Sequence, residues 1–544
     1  DLLGITHGAV ALTKIDRVST ERRDHVAAEI RALFAGTTLE DSPVFPLSAL
    51  TGDGVPALRT HLDQAAGTST ARSSDGNFRL AIDRCFNVAG SGIIVTGTAF
   101  SGRIETGDTA RLLSRDLGLR VRGIHAQNAE SRTGAAGQRC ALNITGPDLA
   151  KDMIERGDWI VGDGAPGPVL KFDAELCVLA SEERPLAHWT PVHVHLGAAE
   201  TPGRVAILDA KSIAPGAIAL AQLVLDRPIG AAHSDRFIIR DQSARRTIGG
   251  GGVLDIHPPR RGRARPERLA WLNLQCEADP AIALAELAAQ VPAGVDAEAF
   301  RVNRNIKHGE FEKLLAQTTG HVLEATGSTR VFSKDNWELL ARSARERLAQ
   351  WHAANPGADG LPAAQILAHH RPALAPELQS AIADALVANG AFVRAGNGVA
   401  LPGHQARLTG PDQALWDRVR PALDAAAPRP MTLTEIGTAI GMEPRRIEPF
   451  LGRAGRHRLV ARISKTRFTS AANLAHLAAA AEKLARQKAE GTFSAAEYRD
   501  ATGIGRNITI ELLEFFDQQK FTHRNGDLRR VIVPAHEKFG AAAS

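Results

Sequence analysis

Residues Phe78 to Asp108 read FRLAIDRCFNVAGSGIIVTGTAFSGRIETGD. Ile82, Phe86, Ile93, Ile94, Val95 and Ile104 stand in short β-branched or aromatic runs, separated by Gly90, Gly92, Gly97, Gly102 and Gly107. Glycine supplies bends and β-branched residues suit pleated faces, so the spacing predicts a tight antiparallel barrel. The run Ile93-Ile94-Val95 is too short for a helix and is read as closed off by Thr96-Gly97-Thr98. On spacing alone, the stretch is a small β-barrel and nothing more.

Downstream, Val121-Arg122-Gly123-Ile124-His125-Ala126-Gln127-Asn128 and Gly137-Gln138-Arg139-Cys140-Ala141-Leu142-Asn143 read as further strands of that barrel. A second run of strands follows from Pro168, with Leu176 to Leu179, Val192 to Leu196 and Ala219 to Leu223 as its clearest members. His193 and His195 alternate on one strand with no third ligand placed, so they are read as strand-face histidines rather than a metal site. The arginines at 260, 261, 263, 265 and 268 mark an exit linker, either a solvated hinge or a set of phosphate contacts.

Beyond Pro266 the chain turns helix-rich and alanine-rich. Four ribbon-like endings recur at Thr329–Phe332, Gly398–Leu401, Thr466–Phe468 and Leu528–Val533, a period of roughly 63–70 residues. Helices with apolar faces precede each, such as Leu378, Ile382, Leu386 and Val387 in the second copy. Short helices closed by a two-stranded ribbon describe a winged helix, with a generic helical array as the alternative. In the last copy, Thr502-Gly503-Ile504-Gly505 hands over to Arg506-Asn507 and a helix carrying Ile510, Leu513 and Phe516. Asn525-Gly526 is a strong hairpin signal. Lys520, His523, Arg524, Arg529 and Arg530 gather charge on that wing, while Arg506 and Asn507 stand at a helix N-terminus, where backbone N–H groups favour phosphate. A solvated basic face is the plainer reading.

Upstream, the strand Ala9 to Leu12, a helix from about Ser19 to Phe34 with Val26, Ile30 and Phe34 on one face, the strand Val44 to Leu47, and a helix carrying Val55, Leu58 and Leu62 alternate. That order is half of a doubly wound sheet, with its site at the strand ends. Those ends carry Thr13-Lys14-Ile15-Asp16 and Ser48-Ala49-Leu50. Ala66 to Gly76, rich in small residues, reads as a linker.

A chain of 544 residues needs several cores. Its 44% hydrophobic and 23% charged content are those of a globular protein, with no apolar run near the roughly 18 residues of a membrane span. Net charge is +5 and the isoelectric point about 9.2, compatible with a nucleic-acid partner. Cys85, Cys140, Cys177 and Cys276 are far apart and read as buried thiols in a reducing cytoplasm. The chain opens on Asp1 in the middle of an element, so its N-terminus is expected to be incomplete.

The run Gly92 to Thr98 with Gly102, Ile104 and Gly107-Asp108 resembles the second domain of translational GTPases. Ile82-Asp83-Arg84-Cys85-Phe86, Val121 to Asn128 and the last helical copy resemble the bacterial selenocysteine-specific elongation factors. The resemblance covers almost the whole chain. It implies a multidomain fold of α/β, all-β and winged-helix parts. These are a partial doubly wound GTPase domain (1–66), antiparallel β-barrels (77–167 and 168–258) and four winged helices (266–336, 337–406, 407–471 and 472–538). By the same resemblance Thr13, Lys14, Asp16, Ser48, Ala49 and Leu50 read guanine: the Asp16 carboxylate accepts from N1 and N2, Lys14 lies along the base, and the Ala49 N–H faces O6. Asp83, Arg84 and Arg139, with Arg122 and His125 as second choices, are implied to line the aminoacyl pocket. Arg506, Asn507, Lys520, His523, Arg524, Arg529 and Arg530 are implied to bind the selenocysteine insertion hairpin of messenger RNA.

The implied cofactor is GTP with Mg2+. The implied partners are selenocysteinyl-tRNA, that hairpin and the ribosome, for a cytoplasmic monomer that delivers selenocysteine at UGA codons. The chain departs from the pattern in one respect: no Gly-x-x-x-x-Gly-Lys-Ser/Thr loop for phosphates is present, so it is expected to be inactive as a GTPase on its own, with no catalytic residues and no metal ligands. Two other readings explain less. An elongation factor Tu-like GTPase leaves the tail unexplained, and a winged-helix DNA regulator leaves the barrels without a role.

Overall fold

The computed structural model describes residues 2–68, 74–371, 373–408, 410–488 and 491–540. The chain forms two compact units, one up to Leu340 and one from Ala341. Among the described residues, no helix is long and apolar enough to cross a membrane.

The first unit opens with two parallel strands, Val10–Leu12 and Val44–Pro46, with Val10 opposite Val44 and Leu12 opposite Pro46. Helices Thr20–Phe34 and Val55–Thr68 follow them. Ser19 caps the first helix by accepting from the Arg22 N–H at 3.4 Å. Two strands cover little apolar surface: Ala27 and Leu47 are buried, but Leu33, Leu50 and Leu62 stay largely open. The last helix takes in residues 66–68 of the expected linker; residues 69–73 lie outside the described residues, and Gly76 bridges to Ile306.

The first barrel runs Arg139–Thr145, Gly92–Ser101, Arg79–Val88, Trp159–Val161, Thr109–Leu112 and Leu117–Ala126, and closes by pairing the last with the first. Leu80, Ile82, Val95, Leu112, Leu142 and Ile160 fill it. Each such side chain contributes about 1.5–3 kcal/mol by leaving water. The expected break at Thr96-Gly97-Thr98 does not occur; the strand Gly92–Ser101 passes straight through. Gly97 is there because a Cβ would meet the Ala81 carbonyl oxygen at 2.0 Å, so the strands close tightly around it.

The second barrel is closed in the order Pro168–Val178, Ile218–Gly230, Ala199–Ile207, Thr190–Leu196, Arg236–Arg240, Thr247–Asp255. Phe172 and Phe237 meet edge to face at 5.3 Å in its centre. Its core continues into the first barrel through Trp159, Ala81 and Leu113. Arg79 and Asp235, both nearly buried, join the barrels by two parallel hydrogen bonds, Nη1 to Oδ1 at 3.0 Å and Nη2 to Oδ2 at 2.5 Å.

The arginine run corrects the linker reading at one position. Arg268 turns inward, pairs with Asp255, and donates from Nε to Asp173 at 3.2 Å. It thereby pins helix Pro266–Leu274 to the second barrel. Two buried carboxylates facing one guanidinium leave nothing solvated there.

The first winged helix has helices Pro280–Gln290, Ala297–Asn303 and His308–Gln317 and a three-stranded sheet, Val295–Asp296, Ser328–Phe332, His321–Ala325. Helix Lys334–Ala354 then leads into the second unit. In the first, third and fourth copies a short strand ends on an N-cap: Asp296, Thr432 and Ser494. The last two are full capping boxes with Glu435 and Glu497. Backbone donation from Thr432 chiefly holds the Glu435 carboxyl at about 2, and Lys488 with Ser494 holds Glu497 at about 2. The second copy has Pro362 at that place. It has no side-chain cap and only a 3-10 turn, Ala363–Gln365, and its ribbon is the two strands Val393–Ala395 and Gly398–Ala400.

The fourth copy packs Phe493, Tyr498, Leu512, Leu513, Phe516 and Phe521 together with Leu477 and Ala481 of helix Ala471–Arg486, and the Tyr498 hydroxyl donates to the Leu477 carbonyl at 2.7 Å. On helix Arg506–Gln518, Ile508, Leu512, Leu513 and Phe516 face in, whereas Ile510, expected on that stripe, is 41% exposed. The cysteines are all free thiols: Cys140 is buried, Cys85 and Cys177 are half-buried, and Cys276, expected to be buried, is exposed.

Candidate functional site

Three groups of sequence-predicted residues can be placed. The parallel pairing of Val10–Leu12 with Val44–Pro46 brings Thr13, Lys14 and Asp16 beside Ser48, Ala49 and Leu50, since both segments leave the same ends of adjacent strands. Ile15 N–H donates to the Leu47 carbonyl at 3.4 Å, which ties the two loops together. Lys14 takes a left-handed conformation, φ 61°, and Asp16 follows in a 3-10 turn. Ser48 is fully buried, and its hydroxyl accepts from the N–H groups of Leu50 and Thr51 at 3.3 and 3.2 Å. Gly54 is pressed against this loop: a Cβ there would sit 2.0 Å from the Pro46 carbonyl oxygen. Asp16, Lys14 and Ala49 are exposed, and among the described residues neither charge is in an ion pair. The arrangement leaves a carboxylate and a lysine open to solvent, on a base stiffened by the Ser48 hydroxyl.

The first barrel brings its candidates together on an outward face. Arg84, Thr96, Ala141 and His125 lie side by side on four adjacent strands. Arg139 stands two residues from Ala141 on the same face, opposite Thr98. Asp83 occupies the irregularity between Ile82 and Arg84, which turns its side chain onto that face. There Asp83 pairs with Arg139 and accepts from the Thr96 hydroxyl at 2.7 Å. Burial pushes the Asp83 carboxyl up, but hydrogen bonds from Arg139 and Thr96 outweigh it and leave it below the usual range. The bond to Asp83 correspondingly raises Arg139. Arg139 is half exposed, so donors remain for a ligand. Arg122 falls in a register shift between Val121 and Gly123 and lies out of this row.

Thr96 is the residue that sequence reasoning missed. Its neighbours in sequence mark it only as the end of a strand, and only the lateral register places it against Asp83. One row further, Phe86, 37% exposed, and the half-buried Ile94 give the polar group an apolar border.

In the terminal winged helix the wing is the hairpin Thr522–Asn525 and Leu528–Val531, turned by Asn525-Gly526-Asp527 with Gly526 at φ 62°. His523 pairs across the wing with Arg530, and both are exposed. Arg524 is exposed, its Nε donating to the Gly526 carbonyl at 2.9 Å. Lys520, at φ 54°, leads into the wing, and Arg506 and Asn507 are exposed on the first turn of helix Arg506–Gln518. Arg529 is the exception. It is 5% exposed, and its Nε donates to Asp517 at 2.9 Å, while Thr522 donates to the other oxygen of that carboxylate at 2.6 Å. The strand alternates, so of neighbours 529 and 530 one must face in. Arg529 therefore fastens the wing to the helix and does not reach a ligand.

His193 meets Glu200 at 3.0 Å, and burial lowers His195; among the described residues no cluster of three metal-ligating side chains occurs.

Comparison with known proteins bears on the family and the fold. Residues 173–260 match the family described as selenocysteine-specific elongation factor, beta-barrel domain; residues 485–531 match elongation factor SelB, winged helix; and residues 92–161 match elongation factor Tu domain 2. The selenocysteine-specific elongation factor of Escherichia coli (strain K12) is 32% identical over 522 residues, spanning 95% of this chain and 80% of that protein. That of Desulfomicrobium baculatum is 26% identical over 533 residues, 97% of this chain and 83% of the relative. A crystal structure of bacterial selenocysteine-specific elongation factor EF-Sec shares the fold, with a TM-score of 0.63 at 20% identity over 98% of this chain and 82% of that one. The chain belongs to the family of selenocysteine-specific elongation factors.

Proposed function

We propose that the protein delivers selenocysteinyl-tRNA to the ribosome at UGA codons, guided by a messenger-RNA hairpin, with GTP and Mg2+ as the family's cofactors. The observation that carries this reading is the union, in one chain, of two fused barrels and a tail of winged helices, together with the 32% identical relative. Translational GTPases hold guanine at strand-end loops like those of Asp16 and Ser48. The phosphates, however, need a glycine-rich loop with a lysine, and the 544 residues contain none of that form. Most of the charge-assisted binding comes from the phosphates and magnesium. A labelled GTP analogue titrated into this chain with Mg2+ is therefore expected to show no saturable binding at micromolar protein; tight magnesium-dependent binding would contradict this.

The aminoacyl group is assigned to the outward face of the first barrel. A selenol is more acidic than a thiol or a hydroxyl, so at neutral pH the side chain is largely an anion. A cationic site favours that anion and offers the precursor seryl group nothing comparable. Asp83 offsets the charge of Arg139, so the net attraction rests on Arg84 and on the Arg139 donors that Asp83 leaves free, with His125 in the same row. Replacing Arg84 or Arg139 with Ala is expected to narrow the discrimination between selenocysteinyl- and seryl-tRNA, measured as the ratio of their dissociation constants. Unchanged ratios in both variants would remove the pocket from this face.

The messenger anchor is assigned to Arg506, Asn507, Lys520, His523, Arg524 and Arg530 of the terminal winged helix. Side chains cannot read the deep groove of stem RNA, so specificity comes from unpaired loop or bulged bases while arginines follow the backbone. Helix Ala471–Arg486 belongs to the core of this copy, so a fragment begun at Ala485 would lack part of its own support, and the full chain is the proper test object. Titrated with the insertion hairpin and an unrelated hairpin at several salt concentrations, Arg530→Ala is expected to weaken both alike and reduce the salt slope by about one. Asn507→Ala is expected to cost roughly 1–3 kcal/mol on the correct loop only. Wild-type behaviour of both variants would place the anchor elsewhere.

A further inference from the structure

We propose that Trp189 and the arginines beside it form a platform on the second barrel that stacks an unpaired RNA base. Trp189 occupies the turn between strands Leu186–Ala187 and Thr190–Leu196. Its φ is 69°, a left-handed conformation that a bulky side chain rarely adopts. The turn is held there by the Trp189 N–H donating to the Val205 carbonyl at 2.7 Å and by the Thr190 hydroxyl donating to the Ala187 carbonyl at 2.7 Å. Glycine would satisfy that backbone at less cost, so what the position gains from tryptophan is its ring.

The ring is not used as core: the residue is 42% exposed. His188 lies roughly parallel to it at 6.1 Å, with its own orientation set by accepting at Nδ1 from the Ile207 N–H at 3.1 Å. Arg263, from the run that follows the barrel, places its guanidinium carbon 5.6 Å from the ring centre. Arg204 donates from Nη1 to the Trp189 carbonyl at 3.4 Å and is otherwise exposed. Among the described residues none of Arg204, Arg260, Arg261 and Arg263 is in an ion pair. Glu182, on the loop before strand Leu186–Ala187, is already taken by Arg246 at 2.6 Å; Glu183 stays exposed.

A half-exposed tryptophan flanked by the guanidinium groups of Arg263 and Arg204, neither in an ion pair among the described residues, matches a single-stranded nucleic acid: every base has a face to stack, and each phosphate a charge to meet. Duplex RNA, with its bases already stacked, offers the ring nothing. The arginine run then has a second use besides the anchoring done by Arg268.

The test is photo-crosslinking of a single-stranded oligoribonucleotide carrying 4-thiouridine to the full chain, with the site mapped by mass spectrometry and a duplex of the same sequence as control. Cross-links at residues 188–190 from the single strand and not from the duplex are expected. Trp189→Gly, which suits the left-handed turn, is expected to keep the melting temperature and lower that cross-link about tenfold. Trp189→Tyr is expected to keep most of the cross-link. Arg263→Ala is expected to weaken it and make it less dependent on salt. No cross-link in this segment, an equal one from the duplex, or a yield unchanged in Trp189→Gly would overturn the proposal and leave Trp189 and Arg263 as a clasp between the linker and the barrel.

Discussion

The pairing of Arg79 with Asp235 is the constraint on which the first unit depends. One guanidinium gives two parallel hydrogen bonds to one carboxylate, which also accepts from the Ala232 N–H at 2.8 Å. The guanidinium carbon lies 4.6 Å from the centre of the Trp159 ring, and neither charge is more than 8% exposed. Stripping water from such ions costs several kcal/mol each, so the pair is tolerable only when complete; loss of one partner costs about 3–5 kcal/mol. The pair therefore specifies one relative placement of the two barrels, and Trp159 fills the seam between them. Two further polar joints repeat the logic. Arg268 ties the helix after the second barrel to Asp173 and Asp255, and the Asn305 amide donates to the Asn77 carbonyl at 2.9 Å, linking the first barrel to the first winged helix.

Such joints explain why a site built from single strands can be positioned at all. Asp83, Thr96 and Arg139 come from three strands, and their mutual distances follow from barrel register rather than from any loop. Thr96 and Arg139 hold Asp83 from two sides, so the carboxylate in turn fixes where the Arg139 guanidinium stands. The same economy appears in the terminal winged helix, where Asp517 accepts from both Arg529 and Thr522 and so fixes the wing on which Arg524 and Arg530 stand.

The barrels and the winged helices were legible because their signals are local. Glycine between β-branched runs, the recurring ribbon at the end of each helical copy, and the turn at Asn525-Gly526 each act within a few residues. What stayed hidden depends on partners distant in sequence. Arg268 looked like one more arginine in a solvated run, because its carboxylates lie on the first and last strands of the second barrel. Arg529 looked like wing charge beside Arg530, since composition cannot tell which side of a strand faces the helix. The N-terminal loops were legible as a pair only because strand ends in a parallel sheet converge, and Trp189 gave no periodic signal at all.

The central claim is that this chain is an RNA-guided translation factor and not a winged-helix regulator of DNA. A gel-shift competition on the full chain tests it most directly, with a labelled selenocysteine insertion hairpin challenged by unlabelled hairpin RNA or by duplex DNA in equal excess. The account predicts that the hairpin RNA displaces the label and the duplex DNA leaves the complex intact. Displacement by duplex DNA as effective as by the hairpin would contradict it.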